Sequence, residues 1–452
     1  MKPNLNITLP LLAIAVQTTT AQAKESQRLP NIIIINLDDA GYGDFSYNGA
    51  TGYTTPNIDR MAAEGMIFTH FLAGGAVSAP SRASLMTGCY PQNTGLPGNP
   101  VPKSKTGVDP SIMTIAELLK QSGYTTAVYG KWHLGHQREH MPLQRGFDEF
   151  YGLPYSSDMW PYHPDNDHYK FPDLPTIEGN ETVAYNVDPA TLTISYTERT
   201  IEFIEKNKKS PFFIYLAHPM PHTPLAVSPR FEGKSEIGLY GDVMMEIDWS
   251  VEQILASLKR MKLEENTLVV LTSDNGPALM YGEHAGSAGG LREGKGTRFE
   301  GGQRVPCVMY WKGTIEAGSV CNKLASNIDL LPTAAEISGA PLPQRAIDGV
   351  SILSLLKGDE GANPRESFVY GTGIAFSDGI YKLILPFSYK SITNPGKDGI
   401  PGDRETRKVE EPELYDLRRD PGERYNVIAQ HPEVVERLML LVDRYKEEAR
   451  KK

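Results

Sequence analysis

Cysteine is scarce in this chain: Cys89, Cys307 and Cys321 are the three in 452 residues. That excludes a disulfide-stapled scaffold and leaves Cys307 and Cys321 either paired with each other or buried as free thiols. Positive charge is also short. The 45 Lys and Arg face 55 Asp and Glu, a formal net charge of -10, which argues against a nucleic-acid partner. A polyanionic ligand must therefore be met by a local basic pocket. Long apolar runs are missing as well. Leu9 to Val16 is too short for a bilayer span of ~20 residues, and no later stretch would span a membrane. It lies between Lys2 and Ala21-Gln22-Ala23, so residues 1–23 read as a secretory signal with an A-x-A cleavage site. No cysteine follows that apolar core to carry a lipid anchor. The expectation is an exported, soluble protein, and no internal repeat is found.

What is present alternates between strands and helices. Asn31 to Asn36 is a continuous apolar run, as in a parallel strand buried on both faces. Asn57 to Gly65 reads as a short helix. Thr114-Ile115-Ala116-Glu117 is a capping box opening a helix that ends at Gly123, before a strand Tyr124 to Tyr129. Ser195-Tyr196-Thr197-Glu198 reads as the cap of a helix to about Asn207. A strand Phe212 to Ala217, a long helix Leu239 to Met261 and a strand Thr267 to Thr272 follow, and Asp329 to Gly339 reads as a late helix. Such units imply a doubly wound α/β sheet flanked by helices, assigned to residues 24–364. From about Arg365 short β runs, Ser367 to Tyr370 and Tyr381 to Leu385, join through Gly, Pro and Asn turns. With a final helix His431 to Lys451, they suggest a smaller antiparallel sheet in a C-terminal subdomain, 365–452, with 390–410 as a mobile loop.

Polar residues of unusual type follow four of the strands: Asp38-Asp39, Lys131 with His133, His218 with His222, and Asp274-Asn275. Ligands of open α/β sheets bind at that carboxyl edge, so the four loops point to one site. Adjacent carboxylates after a central strand are either a cation site or a solvated acidic turn. Taken as a site, Asp38, Asp39, Asp274 and Asn275 offer oxygen alone, which suits Ca²⁺ before Mg²⁺ and gives no sign of zinc. The glycine-rich loop Leu291 to Gly302 carries Lys295, either a cleft residue or part of a flexible basic loop.

One stretch organises the rest: Ser78-Ala79-Pro80-Ser81-Arg82-Ala83-Ser84-Leu85-Met86-Thr87-Gly88. Pro80 fits the first turn of a helix, and Gly88 reads as its stop. Ser78 is then expected just before the helix N-terminus, where N–H groups favour an anion, with Arg82 one turn on. The pattern Ser-x-Pro-Ser-Arg-x-x-Leu-x-Thr-Gly resembles the signature of the formylglycine sulfatases, which carry Cys or Ser at its first position. The resemblance extends over nearly all of the mature chain, and it implies an alkaline phosphatase-like fold. Tyr155-Ser156-Ser157-Asp158-Met159-Trp160 resembles a segment of the arylsulfatase A and N-acetylgalactosamine-6-sulfatase branch.

The resemblance assigns roles. Ser78 is oxidised to formylglycine, whose hydrate has one hydroxyl to attack sulfur and a second whose deprotonation expels sulfate. A plain serine would stop at an inert sulfate ester. Asp38, Asp39, Asp274, Asn275 and residue 78 become Ca²⁺ ligands. Arg82 and Lys131 support the hydrate and sulfate, and His133 is the base of the elimination. His222 and Lys295 hold the substrate sulfate and serve the leaving oxygen, with the donor left open between them; His218 is a supporting residue. Ser156 contacts sulfate. Asp158, Trp160, Tyr162 and His163 are candidate sugar contacts, with packing for stability the other reading of Trp160 and Tyr162. The implied substrate is a sulfated mono- or oligosaccharide of galactose or N-acetylgalactosamine type. Serine at the first position implies a bacterial, periplasmic or secreted enzyme matured by a radical iron–sulfur enzyme. A phosphomonoesterase or phosphodiesterase of the same fold is a second reading, and a non-catalytic binder of sulfated glycans a third.

Overall fold

The computed structural model describes Met1 and residues 28–96 and 98–451. Apart from Met1, the expected secretory signal at 1–23 lies outside the described residues. The central strand, β1 (Asn31–Leu37), is buried along its whole length. Ile32 and Ile34 join one core, and Ile33, Ile35 and Leu37 join a second on the opposite face. A strand with two apolar faces has to lie between layers, and that requirement sets the architecture.

The other strands of the main sheet are β2 (Met66–Phe68), β3 (Thr125–Lys131), β4 (Glu149–Leu153), β5 (Pro175–Glu178), β6 (Glu181–Tyr185), β7 (Phe212–Ala217), β8 (Thr267–Ser273), β9 (Cys307–Tyr310) and β10 (Ser319–Cys321). Their order is β10-β2-β9-β8-β1-β7-β3-β4-β5-β6. The block β8-β1-β7-β3-β4 is parallel, whereas β9, β5 and β6 run antiparallel to their neighbours. All five parallel strands therefore end on one edge. Helices α1 (Pro56–Ala63), α2 (Ser78–Thr87), α3 (Ile115–Lys120), α4 (Leu192–Asn207), α5 (Leu239–Arg260) and α6 (Leu330–Ser338) cover the two faces. Ala79, Leu118 and Leu331 pack on the Ile32 side, and Ile58, Tyr196 and Val251 on the Ile33 side. Gly130 makes the crowded middle possible: at φ +110°, a Cβ there would lie 1.9 Å from the Ala217 carbonyl oxygen of β7.

A second sheet follows, with strands β11 (Phe368–Tyr370), β12 (Ala375–Ser377), β13 (Tyr381–Ile384) and β16 (Glu413–Asp416) in antiparallel order β11-β12-β13-β16. The C-terminal helix α7 (Pro432–Lys451) lays Val434, Leu438 and Val442 against Phe376, Leu383 and Leu414. Lys382 on β13 is fully buried between Glu300 and Glu423, 2.9 Å from each, and so ties this sheet to the loop region of the first.

Three expectations need correction, and one alternative left open is decided. Residues 390–410 are not a loop: β14 (Phe387–Asn394) and β15 (Asp403–Val409) pair as an antiparallel ribbon. β15 is exposed except at Val409, so it lacks the apolar alternation that marks a strand in sequence; Phe387 and Tyr389 of β14 hold the ribbon by packing on Phe299. α4 begins at Leu192, three residues before Ser195, because Pro189–Thr191 and the Asp188 side chain start the turn earlier. Ser78 is the first residue of α2, not the residue before it, and Val77 holds the extended cap position. Cys307 and Cys321 are free buried thiols. They lie on β9 and β10 with β2 between them, about 10 Å apart at ordinary strand spacing and beyond the ~7 Å reach of a disulfide. Among the described residues no helix is long and apolar enough to cross a membrane.

Candidate active site

The parallel edge carries the polar residues. β1 ends at Asp38 and Asp39, β3 at Lys131 and His133, β7 at His218 and His222, β8 at Asp274 and Asn275, and β4 runs on to Ser156. α2 enters this edge with Ser78 foremost, all ten of its residues buried. The Asn99 side chain accepts from the Ala79 N–H at 2.9 Å and so caps the helix from a distant loop. Asn327 binds both Ser81 Oγ, at 3.0 Å, and the Gly74 N–H, at 2.8 Å, clamping the approach loop to the helix.

Ser78 Oγ donates to Asp274 Oδ2 at 2.5 Å, lies 3.3 Å from Asp38 Oδ1, and accepts from Arg82 Nε at 3.0 Å. Arg82 also reaches Asp274 Oδ2 at 2.9 Å and the Lys131 carbonyl at 3.1 Å. Lys131 Nζ bridges Asp38 Oδ2 (2.5 Å) and Ser156 Oγ (3.0 Å). Lys295 Nζ lies 2.7 Å from Asp39 Oδ1 and 2.8 Å from Oδ2. His222 presents Nε2 3.7 Å from Asp39 Oδ2, while its Nδ1 faces the Thr223 carbonyl. Since a carbonyl can accept but not donate, Nδ1 carries a hydrogen there.

Burial alone would raise the Asp38 carboxyl; Lys131, His222 and Arg82 outweigh it and hold the group below the usual carboxylate range. Burial pulls the Lys131 ammonium down against the hold of Asp38. Lys295 shows the reverse balance, Asp39 and Asp38 overcoming burial to raise it. Burial, then Lys131 and Arg82, push His133 well below its ordinary value. The His133 Nε2 donates to the Pro100 carbonyl at 3.2 Å, and its Nδ1 is buried without a partner among the described residues, leaving a free lone pair. Asp39 and His133 both sit at positive φ, +68° and +61°, a cost retained at sites that need a particular side-chain direction.

The donor set fits a hard cation. One ligand atom from each of Asp38, Asp39 and His222 lies within 4.8 Å of the others. Asp274 is tied to both ends of the group, accepting from the Asp39 N–H at 3.2 Å and from Ser78. Asn275 donates from Nδ2 to Asp39 Oδ1, and its Oδ1 is buried with no partner among the described residues. Three buried carboxylates beside an unused amide oxygen match oxygen-only coordination.

Of the remaining expected residues, Ser156 is in the cluster. Asp158 adjoins it: burial would raise its carboxyl, but His222, a hydrogen bond from Ser156, Lys131 and Lys295 together lower it. Trp160 is half-buried against the second core with its ring 4.9 Å from Tyr162, which is exposed. His163 faces elsewhere. Its ring contacts are Tyr169 and Phe171, and its Nδ1 accepts from the Asp165 N–H, so none of these contacts reaches the carboxylates. His218 bonds through Nε2 to Ser250 Oγ on α5. Asn99, Pro100 and Tyr281 escaped the sequence reading. Tyr281 is linked to Thr223 and lies near Asp158 and Lys295. Asn99 and Pro100 sit in an irregular loop and Tyr281 in the short 3-10 segment Leu279–His284, with no periodicity to mark any of them.

A hydroxyl wedged among three acids and three cations, at the carboxyl edge of an alkaline phosphatase-like sheet, defines a hydrolase of anionic oxyacid esters. Which oxyacid is settled by comparison with known proteins. The family model described as Sulfatase matches residues 30–340. The chain is 37% identical over 428 residues to N-acetylgalactosamine-6-sulfatase of Mus musculus, covering 88% of this chain and 81% of that protein. It is 36% identical over 465 residues to arylsulfatase A of Homo sapiens, covering 95% and 89%. The crystal structure of the PsFucS1 sulfatase from Pseudoalteromonas sp. superposes with a TM-score of 0.85 at 26% identity, covering 94% and 91%. The chain belongs to the sulfatase family and is a sulfuric ester hydrolase.

Proposed function

We propose that this sulfatase removes sulfate from a sulfated carbohydrate of galactose or N-acetylgalactosamine type, with residue 78 matured to formylglycine and Ca²⁺ as its resident ion. The observation that carries the reading is the place of Ser78: its Oγ is held by Asp274 and Arg82 inside the carboxylate cluster, at the head of the maturation-type motif. Relatives whose names specify N-acetylgalactosamine 6-sulfate support the sugar class.

Asp38, Asp39, Asp274 and Asn275 would hold the cation with residue 78, and the ion would place positive charge on a sulfate oxygen. Formylglycine, as its hydrate, supplies the second hydroxyl that a serine sulfate ester lacks. The chain's own residues do the rest. Arg82, Lys131 and Ser156 bind sulfate oxygens and offset the charge that grows on them. His133 Nδ1, with its free lone pair, takes up the proton when sulfate leaves. His222 Nε2 and Lys295 Nζ, both beside Asp39, orient the ester and return a proton to the sugar oxygen. Asp158, with Trp160 and Tyr162, faces the sugar. The reading includes export to a periplasmic or extracellular setting and maturation by a serine-type radical iron–sulfur enzyme.

The test pairs peptide mass spectrometry with sulfate release on one batch. Protein made with such a maturase should show the Ser78 peptide lighter by two hydrogens and should turn over defined sulfated mono- and oligosaccharides. Multiple turnover by wholly unmodified Ser78 protein, or faster release of phosphate than of sulfate, would refute it.

A further inference from the structure

A cleft of about 420 Å³ opens beside the catalytic cluster and runs from Val77 and Lys295 to the β14–β15 ribbon. It carries three more cations, Arg298 on the Lys295 loop and Lys390 and Arg404 on the ribbon. Among the described residues none of them has a carboxylate partner. Lys390 Nζ donates to Thr406 Oγ1 and Arg298 Nη1 to the Gly296 carbonyl, each at 2.8 Å. Arg298 Nε is buried with no hydrogen-bond partner among the described residues. The acid on the cleft wall, Glu293, accepts instead from Ser391 Oγ at 2.8 Å. Some cations elsewhere on the surface are paired with acids, as Arg199 is with Glu178 and Arg260 with Glu205; here three that are not share one cleft. In a chain of net charge -10, gathering three unneutralised cations costs repulsion that an anion would relieve. Tyr389 and Leu279 add an apolar wall of the kind a sugar ring can lie against.

We propose that this cleft binds a second anionic substituent, a sulfate or a carboxylate, on the sugar next to the one whose sulfate is cleaved. The substrate is then a polyanionic oligosaccharide. Val77 directly precedes Ser78, and Lys295 belongs to both places, so one chain of sugars can occupy the cleft and the reaction centre together. The proposal rests on the sulfated-carbohydrate reading and narrows it.

The test measures calorimetric binding of three disaccharides to Ser78→Ala protein loaded with Ca²⁺. All three carry 6-sulfated N-acetylgalactosamine, and the neighbouring sugar is a neutral hexose, a hexuronate or a sulfated hexose. At least one anionic disaccharide should bind about tenfold tighter than the neutral one, the scale of one charge-assisted hydrogen bond. The one that gains more identifies the substituent. Adding Lys390→Ala with Arg404→Ala, both on the exposed ribbon, should erase that gain, and Arg404→Glu should reverse it. Equal binding of the three, no binding of any, or a gain that survives the double substitution overturns the proposal. Sulfate release from the neutral disaccharide by matured enzyme is measured alongside and should be unchanged by the double substitution. Absence of release from all three by matured enzyme would count against the sulfatase-on-carbohydrate reading separately, while the binding comparison still decides the cleft.

Discussion

Replacing Lys131 by methionine tests the centre through stability and rate at once. Methionine keeps the apolar stem and deletes the ammonium that lies 2.5 Å from Asp38 Oδ2 and 3.0 Å from Ser156 Oγ. Asp38, fully buried, would keep Arg82 Nη2 at 3.5 Å. Removing one partner of a buried pair costs ~3–5 kcal/mol, and the surviving Arg82 contact puts this case near ~3. At an unfolding entropy of ~2.1 cal/mol/K per residue, a chain of this size should lose about 3–4 °C in Tm. That deficit is expected in chelator. In Ca²⁺ it should shrink, since a cation on Asp38 replaces the lost charge. The rate should not recover: kcat/KM should stay down by ~10²-fold or more, because nothing replaces the contact to the transferring group. Thermal unfolding with and without Ca²⁺, beside sulfate release, reads both. An unchanged Tm in chelator would refute the buried-pair argument, and an equal deficit in both buffers would refute Asp38 as a cation ligand.

Chelation of wild-type enzyme should abolish turnover and lower Tm, with Ca²⁺ restoring both; full activity in metal-free protein would sink the cation assignment. Lys295→Ala should lower kcat/KM by ~10²-fold or more, and wild-type kinetics on the best substrate would remove Lys295 from the centre. Asp44 gives a pH test. Burial raises its carboxyl to about 6, against hydrogen bonds from Tyr240 Oη and the Ser287 and Gly41 N–H groups. Its native value lies above the unfolded one near ~4. The proton it binds therefore favours the fold fully below pH ~4, and that contribution, on the order of 2–3 kcal/mol, is lost as pH rises through 6. The advantage of wild type over Asp44→Asn in urea unfolding should accordingly shrink from pH 4 to pH 7; a gap that widens would contradict the raised value.

The parallel strands were legible in sequence because β1, β7 and β8 are buried on both faces and so read as apolar runs ending at polar loops. The site was legible for the same reason, since residues after such strands share one edge whatever the helices do. What escaped depends on contacts between distant segments. Nothing near Asn99 announces that its side chain will cap α2, and nothing near Pro100 that its carbonyl will fix the His133 ring. The β14–β15 ribbon was missed because its order comes from Phe299 and from cross-strand pairing, not from an apolar face of its own. His163, close to Ser156 in sequence and expected as a sugar contact, packs its ring on Tyr169 and Phe171, contacts that no local sequence pattern announces.

The pairing inside the centre explains how so many buried charges coexist. Asp38 is matched by Lys131, Asp39 by Lys295 and Asp274 by Arg82, three negative charges against three positive ones. Each carboxylate thus has a cation at hand, which offsets the cost of burying it. The same balance gives the centre no net attraction for an anionic ester, the histidines aside. A divalent ion on the acids would tip it to positive and free the Lys131 and Lys295 ammonium groups to turn from carboxylate to sulfate. Acids that neutralise the cations in one state and bind an ion in the other would make substrate affinity depend on that ion. Lys131 and Lys295 are therefore members of the acidic cluster, not a separate basic patch. On the proposed reading, that is how a protein of net charge -10 builds an anion site at its centre.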